Sequence, residues 1–177
     1  MKRFWILLAG SLLTSHASSA QTPAVYQRMA REVFRQLIEI NTTDSVGNVT
    51  TAAEAMAKRF REAGFDEKDI QIAGPRDNKK NLVVRYHGTG ARKPVLFIGH
   101  LDVVEARRED WTVDPFQFLE QDGYFYGRGT ADDKAQVAAW TANLIRYKRE
   151  GYKPDRDISS RSPRMKRAAV PTTESTG

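Results

Sequence analysis

The chain has 177 residues and no cysteine, which excludes disulfides, thiolate metal sites and cysteine nucleophiles; any metal must be held by His, Asp or Glu. The net charge of +6 sits at the ends, with Lys2 and Arg3 at one and Arg161, Arg164, Lys166 and Arg167 against Glu174 at the other. The segment between is nearly neutral and offers no electrostatic footprint for nucleic acid.

Residues 1–20 read as a secretory signal. A positive start precedes an apolar run from Phe4 to Leu13, and Ser18-Ser19-Ala20 supplies small residues for cleavage before Gln21. The run is short for a permanent membrane span, the alternative being an uncleaved anchor. The expectation is an exported protein, periplasmic or secreted, with no stable span after cleavage.

Residues 24–40 predict an amphipathic helix, because Val25, Met29, Val33 and Leu37 recur every four residues with Phe34 and Ile38 beside them. A second helix is expected over about 51–63, with Ala52, Met56, Phe60 and Ala63 on one face and Gly64 as its stop. The period then changes. Residues 70–72, 81–86 and 94–99 read as strands, the last apolar on both faces as a central, covered strand should be. A long helix follows Asp132, with Val137, Trp140, Leu144 and Tyr147 as its buried side, and Gly151 ends it. A further strand should start near Ile158. Helices flanking a buried strand give an α/β fold. Residues 159–177 show no hydrophobic period and read as a polar, basic, disordered tail.

Two clusters carry chemistry. Gly99-His100-Leu101-Asp102 lies at the end of the most apolar strand, where ligands gather in open α/β sheets. Residues two apart on a strand share a face, so the Asp102 carboxylate could fix the His100 tautomer for metal binding; equally, the pair could do no more than satisfy a strand end. Gly127-Arg128-Gly129-Thr130-Ala131-Asp132-Asp133-Lys134 follows about thirty residues later. Its glycines mark a loop where backbone comes close to something. Its aspartates open a helix, where they could cap the N-terminus or face a site.

Taken together, these clusters resemble the paired signature of the M20 metallopeptidase family, which includes acetylornithine deacetylase, succinyl-diaminopimelate desuccinylase, glutamate carboxypeptidase and carnosinase-type dipeptidases. Trp111-Thr-Val-Asp-Pro-Phe and Asp122-Gly123-Tyr124-Phe125-Tyr126-Gly127 fit the same pattern, and the resemblance covers roughly residues 25–158. It implies the N-terminal portion, over 21–158, of a zinc-exopeptidase-like catalytic domain with helices on a mixed sheet. By that resemblance His100 and Asp132 are metal ligands, Asp132 bridging two zinc ions (or cobalt or manganese), and Asp102 is the catalytic-site residue that orients His100. The implied reaction is hydrolysis of a peptide or an N-acyl amino acid, with two metals polarising the carbonyl and generating hydroxide. A homodimer is implied only where a downstream domain is present.

The family pattern continues with an apolar strand and a Glu-Glu pair that supplies the general base and a ligand. Here Ser159 onward is polar instead. One permitted coding of that segment, read two bases later, gives Ile-Ser-Leu-Thr-Ala-Asp-Glu-Glu-Gly-Gly. The synonymous codons in it are chosen, but the Met165 codon is not. A frameshift near codon 158 is the expectation, with an inactive and poorly soluble product. The competing reading is a non-catalytic exported binding protein that keeps the start of the fold.

Overall fold

The computed structural model describes residues 24–162. The expected signal over 1–20 and residues 163–177 of the expected tail lie outside them. Among the described residues, no helix is long and apolar enough to cross a membrane.

The first helix, α1 (Ala24–Glu39), buries Val33, Phe34, Leu37 and Ile38, while Val25 at its start is exposed. The second, α2 (Val49–Glu62), begins two residues before the expected start near residue 51 because the Asn48 side chain accepts the Thr51 N–H at 3.1 Å and caps it. Gly64 takes φ 86° just past its end, where a left-handed residue closes a helix cheaply. Strands β1 (Ile70–Ala73) and β2 (Asn81–Tyr86) form where strands are expected, and β3 (Val95–Ile98) forms within the apolar run 94–99. The order continues through a hairpin, β4 (Leu119–Gln121) and β5 (Tyr124–Tyr126), then α3 (Lys134–Arg149) and β6 (Ile158–Ser162).

The main sheet has the order β1-β2-β6-β3. Strands β1, β2 and β6 pair antiparallel, and β6 pairs with β3 in parallel, with Ser160 between Val84 and Phe97. Helix α2 packs on β1 and β2, and α3 packs mainly on α1. The core joins Leu37, Met56, Phe60, Leu82, Val84, Leu101, Val137 and Ile145.

Three expectations need correction. First, β3 is not a covered central strand. It lies at the sheet edge, and Leu96 and Ile98 are 51% and 58% exposed, because no strand lies beyond it among the described residues. Second, residues 159–162 are not tail. They form β6 in the sheet interior, where backbone pairing on both sides holds Ser159, Ser160 and Arg161 whatever their side chains. Third, the buried face of α3 is rotated from the expected one. Val137, Ala138, Thr141, Ala142, Leu144 and Ile145 are buried, whereas Trp140 and Tyr147 face the open side near β3 and are half-buried.

The β4–β5 hairpin was not expected from periodicity. Asp122 and Gly123 turn it with φ of 53° and 79°, the left-handed pair that a two-residue Asp-Gly loop supplies. It seats Phe118 and Phe125 edge-on against Phe34 of α1, at centroid distances of 5.3 and 5.5 Å. An Arg31–Glu120 ion pair lies beside them.

Candidate metal centre

The strand β3 stops at Ile98, and the chain then runs through His100, Leu101 and Asp102 as a buried segment without strand pairing. A neighbouring loop fixes that segment. The Thr42 hydroxyl donates to the Leu101 carbonyl at 2.7 Å, and the Val103 N–H donates to the Thr42 carbonyl at 3.2 Å. Thr42 therefore clamps both sides of Asp102. Its own loop is tied in turn by Lys79, whose buried ammonium donates to the carbonyls of Thr43 and Asp44 at 3.0 and 3.1 Å. Ser45 bonds the Glu105 carboxylate through both its N–H and its hydroxyl.

The second cluster meets the first from the start of α3. His100 Nε2 lies 2.9 Å from Asp132 Oδ1, and His100 Nδ1 lies 2.8 Å from the Asp102 carbonyl oxygen. The Asp102 carboxylate is 3.7 Å from Nδ1, so its main chain makes the closer contact, because the strand has ended and the two side chains no longer share a pleat. A carbonyl at Nδ1 makes that nitrogen the donor and presents the Nε2 lone pair toward Asp132, the tautomer a metal-binding imidazole needs. His100 is 7% exposed, while the Asp132 side chain is 64% exposed. The peptide bond between Asp132 and Asp133 is cis.

The capping alternative for the aspartates does not hold. Asp133 occupies the N-cap position but makes no side-chain cap bond. Its Oδ2 instead accepts the His100 backbone N–H at 3.2 Å. Both aspartates thus serve His100, one at the ring and one at the main chain.

The glycines have the tight surroundings their pattern implies. A Cβ on Gly127 would lie 2.6 Å from Ile38, and one on Gly129, at φ 96°, would lie 2.8 Å from the Lys134 side chain. Gly99 is equally confined by Asp133, Trp140 and Val137. Lys134, unassigned by motif reasoning, is fully buried and donates to the Leu37 and Ile40 carbonyls at 2.7 and 2.8 Å, fastening the start of α3 to the end of α1. Burial pushes its ammonium down to about 7.

His100 and Asp132 are an imidazole nitrogen and a carboxylate oxygen facing each other, a donor set that suits zinc. No group of three or more His, Cys, Asp or Glu side chains suited to a metal occurs among the described residues. The residues present therefore fit part of a metal centre.

The model of Peptidase family M20/M25/M40 matches residues 96–160, which span both clusters. The succinyl-diaminopimelate desuccinylase of Delftia acidovorans is 37% identical over 108 residues, covering 60% of this chain and 28% of that protein. The fold is similar to the di-peptidase Dug1p of Saccharomyces cerevisiae, with TM-score 0.65 and 22% identity, over 79% of this chain and 32% of that one. It is also similar to a dinuclear metal-binding M20 peptidase of Bacillus subtilis, with TM-score 0.52 and 15% identity, over 80% of this chain and 36% of the other. The chain thus spans about a quarter to a third of the length of these proteins. Both signature loops, joined at His100 and Asp132, thus lie within the residues that match Peptidase family M20/M25/M40, on a fold that corresponds to part of an M20 peptidase catalytic domain.

Proposed function

We propose that this chain carries part of the metal centre of an exported hydrolase that cleaves peptide or N-acyl amide bonds, an M20-type exopeptidase using two zinc ions. The observation that carries the reading is the 2.9 Å contact between His100 Nε2 and Asp132 Oδ1, with Asp102 behind the ring. His100 and Asp132 would hold metal, and Asp102 would keep the imidazole oriented. When bound, the metal supplies Lewis acidity toward a scissile carbonyl and makes water more acidic. The Asp133 carboxylate holds the His100 main chain, so the imidazole is presented from a fixed backbone. Likeness to a desuccinylase keeps N-acyl amino acids beside peptides as substrates. Zinc takes about four ligands. Among the described residues His100 and Asp132 supply two such donors, so we infer that this chain, taken alone, is inactive in hydrolysis.

The frameshift reading belongs with this proposal. Two observations favour it: the family match ends at residue 160, and polar Ser159-Ser160-Arg161 occupies an interior strand. The nucleotide sequence from codon 150 onward tests it. A second frame running on through Glu-Glu supports it, and early stop codons in that frame refute it.

The functional reading is tested by zinc titration against a chromophoric chelator, with peptide and N-succinyl amino-acid hydrolysis measured alongside. The expected result is at most one weakly held zinc per chain, lost in His100→Ala and in Asp132→Ala, with no turnover. Zinc binding unchanged in both variants would overturn the metal assignment, and turnover by the chain would overturn the inactivity.

A further inference from the structure

Beside Asp132 lies a cleft of about 210 Å³ lined by Val104, Trp111, Gly127, Arg128, Thr130 and Asp132. Its cation is Arg128. The guanidinium carbon sits 5.0 Å from the centre of the Trp111 ring, a stacking distance for a cation on an aromatic face. Among the described residues, the one hydrogen bond of this side chain runs from Nη2 to the Glu105 carbonyl at a long 3.4 Å. The Nε atom is buried and meets no acceptor among the described residues. That atom is sealed from solvent, so a ligand reaches this guanidinium through its Nη groups, whose hydrogen bonding is nearly unused.

An arginine fork stays charged and matches a carboxylate through two parallel N–H donors. Trp111 covers one face of this fork, which leaves an edge-on approach. The Gly127–Gly129 backbone fixes where the side chain starts, since the Arg128 N–H donates to the Pro115 carbonyl at 2.6 Å and Gly127 packs on Ile38. The cleft runs from this cation to Asp132, so a group anchored at Arg128 would extend toward the candidate metal centre. Its volume suits a fragment of amino-acid size.

We propose that Arg128, held against Trp111, binds a carboxylate of the substrate and so sets which end of it reaches Asp132. This rests on the metal-hydrolase reading above. The test follows two resonances by ¹⁵N NMR in the full chain: the Arg128 Nε–H, assigned by its loss in Arg128→Lys, and the Trp111 indole N–H, which reports binding in both the parent and that variant. N-acetylglycine is titrated in parallel with its uncharged counterpart N-acetylglycinamide. The expected result is a saturable shift with the acid, none with the amide, and at least about tenfold weaker acid binding in Arg128→Lys, which keeps the charge but loses the fork. Equal shifts with acid and amide, or no shift at Arg128, would overturn the proposal and leave this side chain a staple between two loops. If Arg128→Lys does not fold, the comparison of acid with amide in the unmodified chain decides alone. Zinc titration of the same sample separates the two readings. Zinc held through His100 and Asp132 without N-acetylglycine binding defeats only this inference, and the reverse defeats only the metal reading.

Discussion

Gly99→Ala tests whether the site is positioned by close packing between β3 and α3. The added Cβ would lie 2.7 Å from Asp133 Oδ2, 2.7 Å from Trp140 Cζ3 and 3.0 Å from Val137 Cγ2. Real Cβ atoms do not approach that closely, so the start of α3 must move away. Overpacking of this kind costs about 1–3 kcal/mol. The shift also stretches the bond from the His100 N–H to the Asp133 carboxylate, now 3.2 Å, and a hydrogen bond to a charged group contributes about 1.5–3 kcal/mol. With that bond partly lost, the sum is about 3 kcal/mol, or roughly a hundredfold in the folding equilibrium. Urea unfolding followed by circular dichroism measures it, and the His100 amide resonance reports the local shift. Adding Trp140→Leu removes one of the clashing atoms, so the double variant should be more stable than the sum of the two single effects by more than about 0.5 kcal/mol. A Gly99→Ala protein within about 0.5 kcal/mol of the parent, with an unmoved His100 amide, would refute this reasoning.

The remaining predictions concern Lys134 and the sheet edge. Burial lowers the Lys134 ammonium from 10.5 to about 7, so between those values the unfolded chain holds a proton that the folded chain has lost. Stability should therefore rise with pH above about 7, by at most ~1.4 kcal/mol per pH unit, the Leu37 and Ile40 carbonyls acting in the opposite direction. Urea midpoints of the parent and of Lys134→Met between pH 7 and 9 check this; a difference between them that stays flat or falls would contradict it. At the β3 edge, Ile98→Lys places a charge on an exposed, unpaired strand and should reduce self-association in gel filtration while leaving the urea midpoint within about 0.5 kcal/mol. Unchanged association would show that the edge is not the sticky surface.

The helices were legible because their signals are local. The stripe Val33, Phe34, Leu37 and Ile38 needs nothing beyond a 3.6-residue period, and Gly64 needs nothing beyond its lack of a Cβ. The hairpin was not read from the sequence, because alternation over three-residue strands is too brief to show it and Asp122-Gly123 is its single local cue. The pairing of His100 with Asp132 could be reached through the spacing of two loops. Its details could not. That Asp102 meets the ring through its carbonyl, and that Asp133 holds the His100 main chain instead of capping α3, depend on where β3 stops. The burial of Lys134 and Lys79 gave no signal in periodicity, because their acceptors lie on segments far along the chain.

By itself, then, the amino-acid sequence determined the class of fold, the buried faces of α1 and α2 and the two loops that bear chemistry, since each rests on the covalent preferences of neighbouring residues. Strand order was decided only in three dimensions. Polar Ser159-Ser160-Arg161 lies inside the sheet while apolar Leu96-Phe97-Ile98 lies at its edge, the reverse of what composition suggests. The physical reason is that a ladder is held by backbone N–H and C=O groups, which every residue here carries alike. Side chains then take whatever exposure the strand order leaves them.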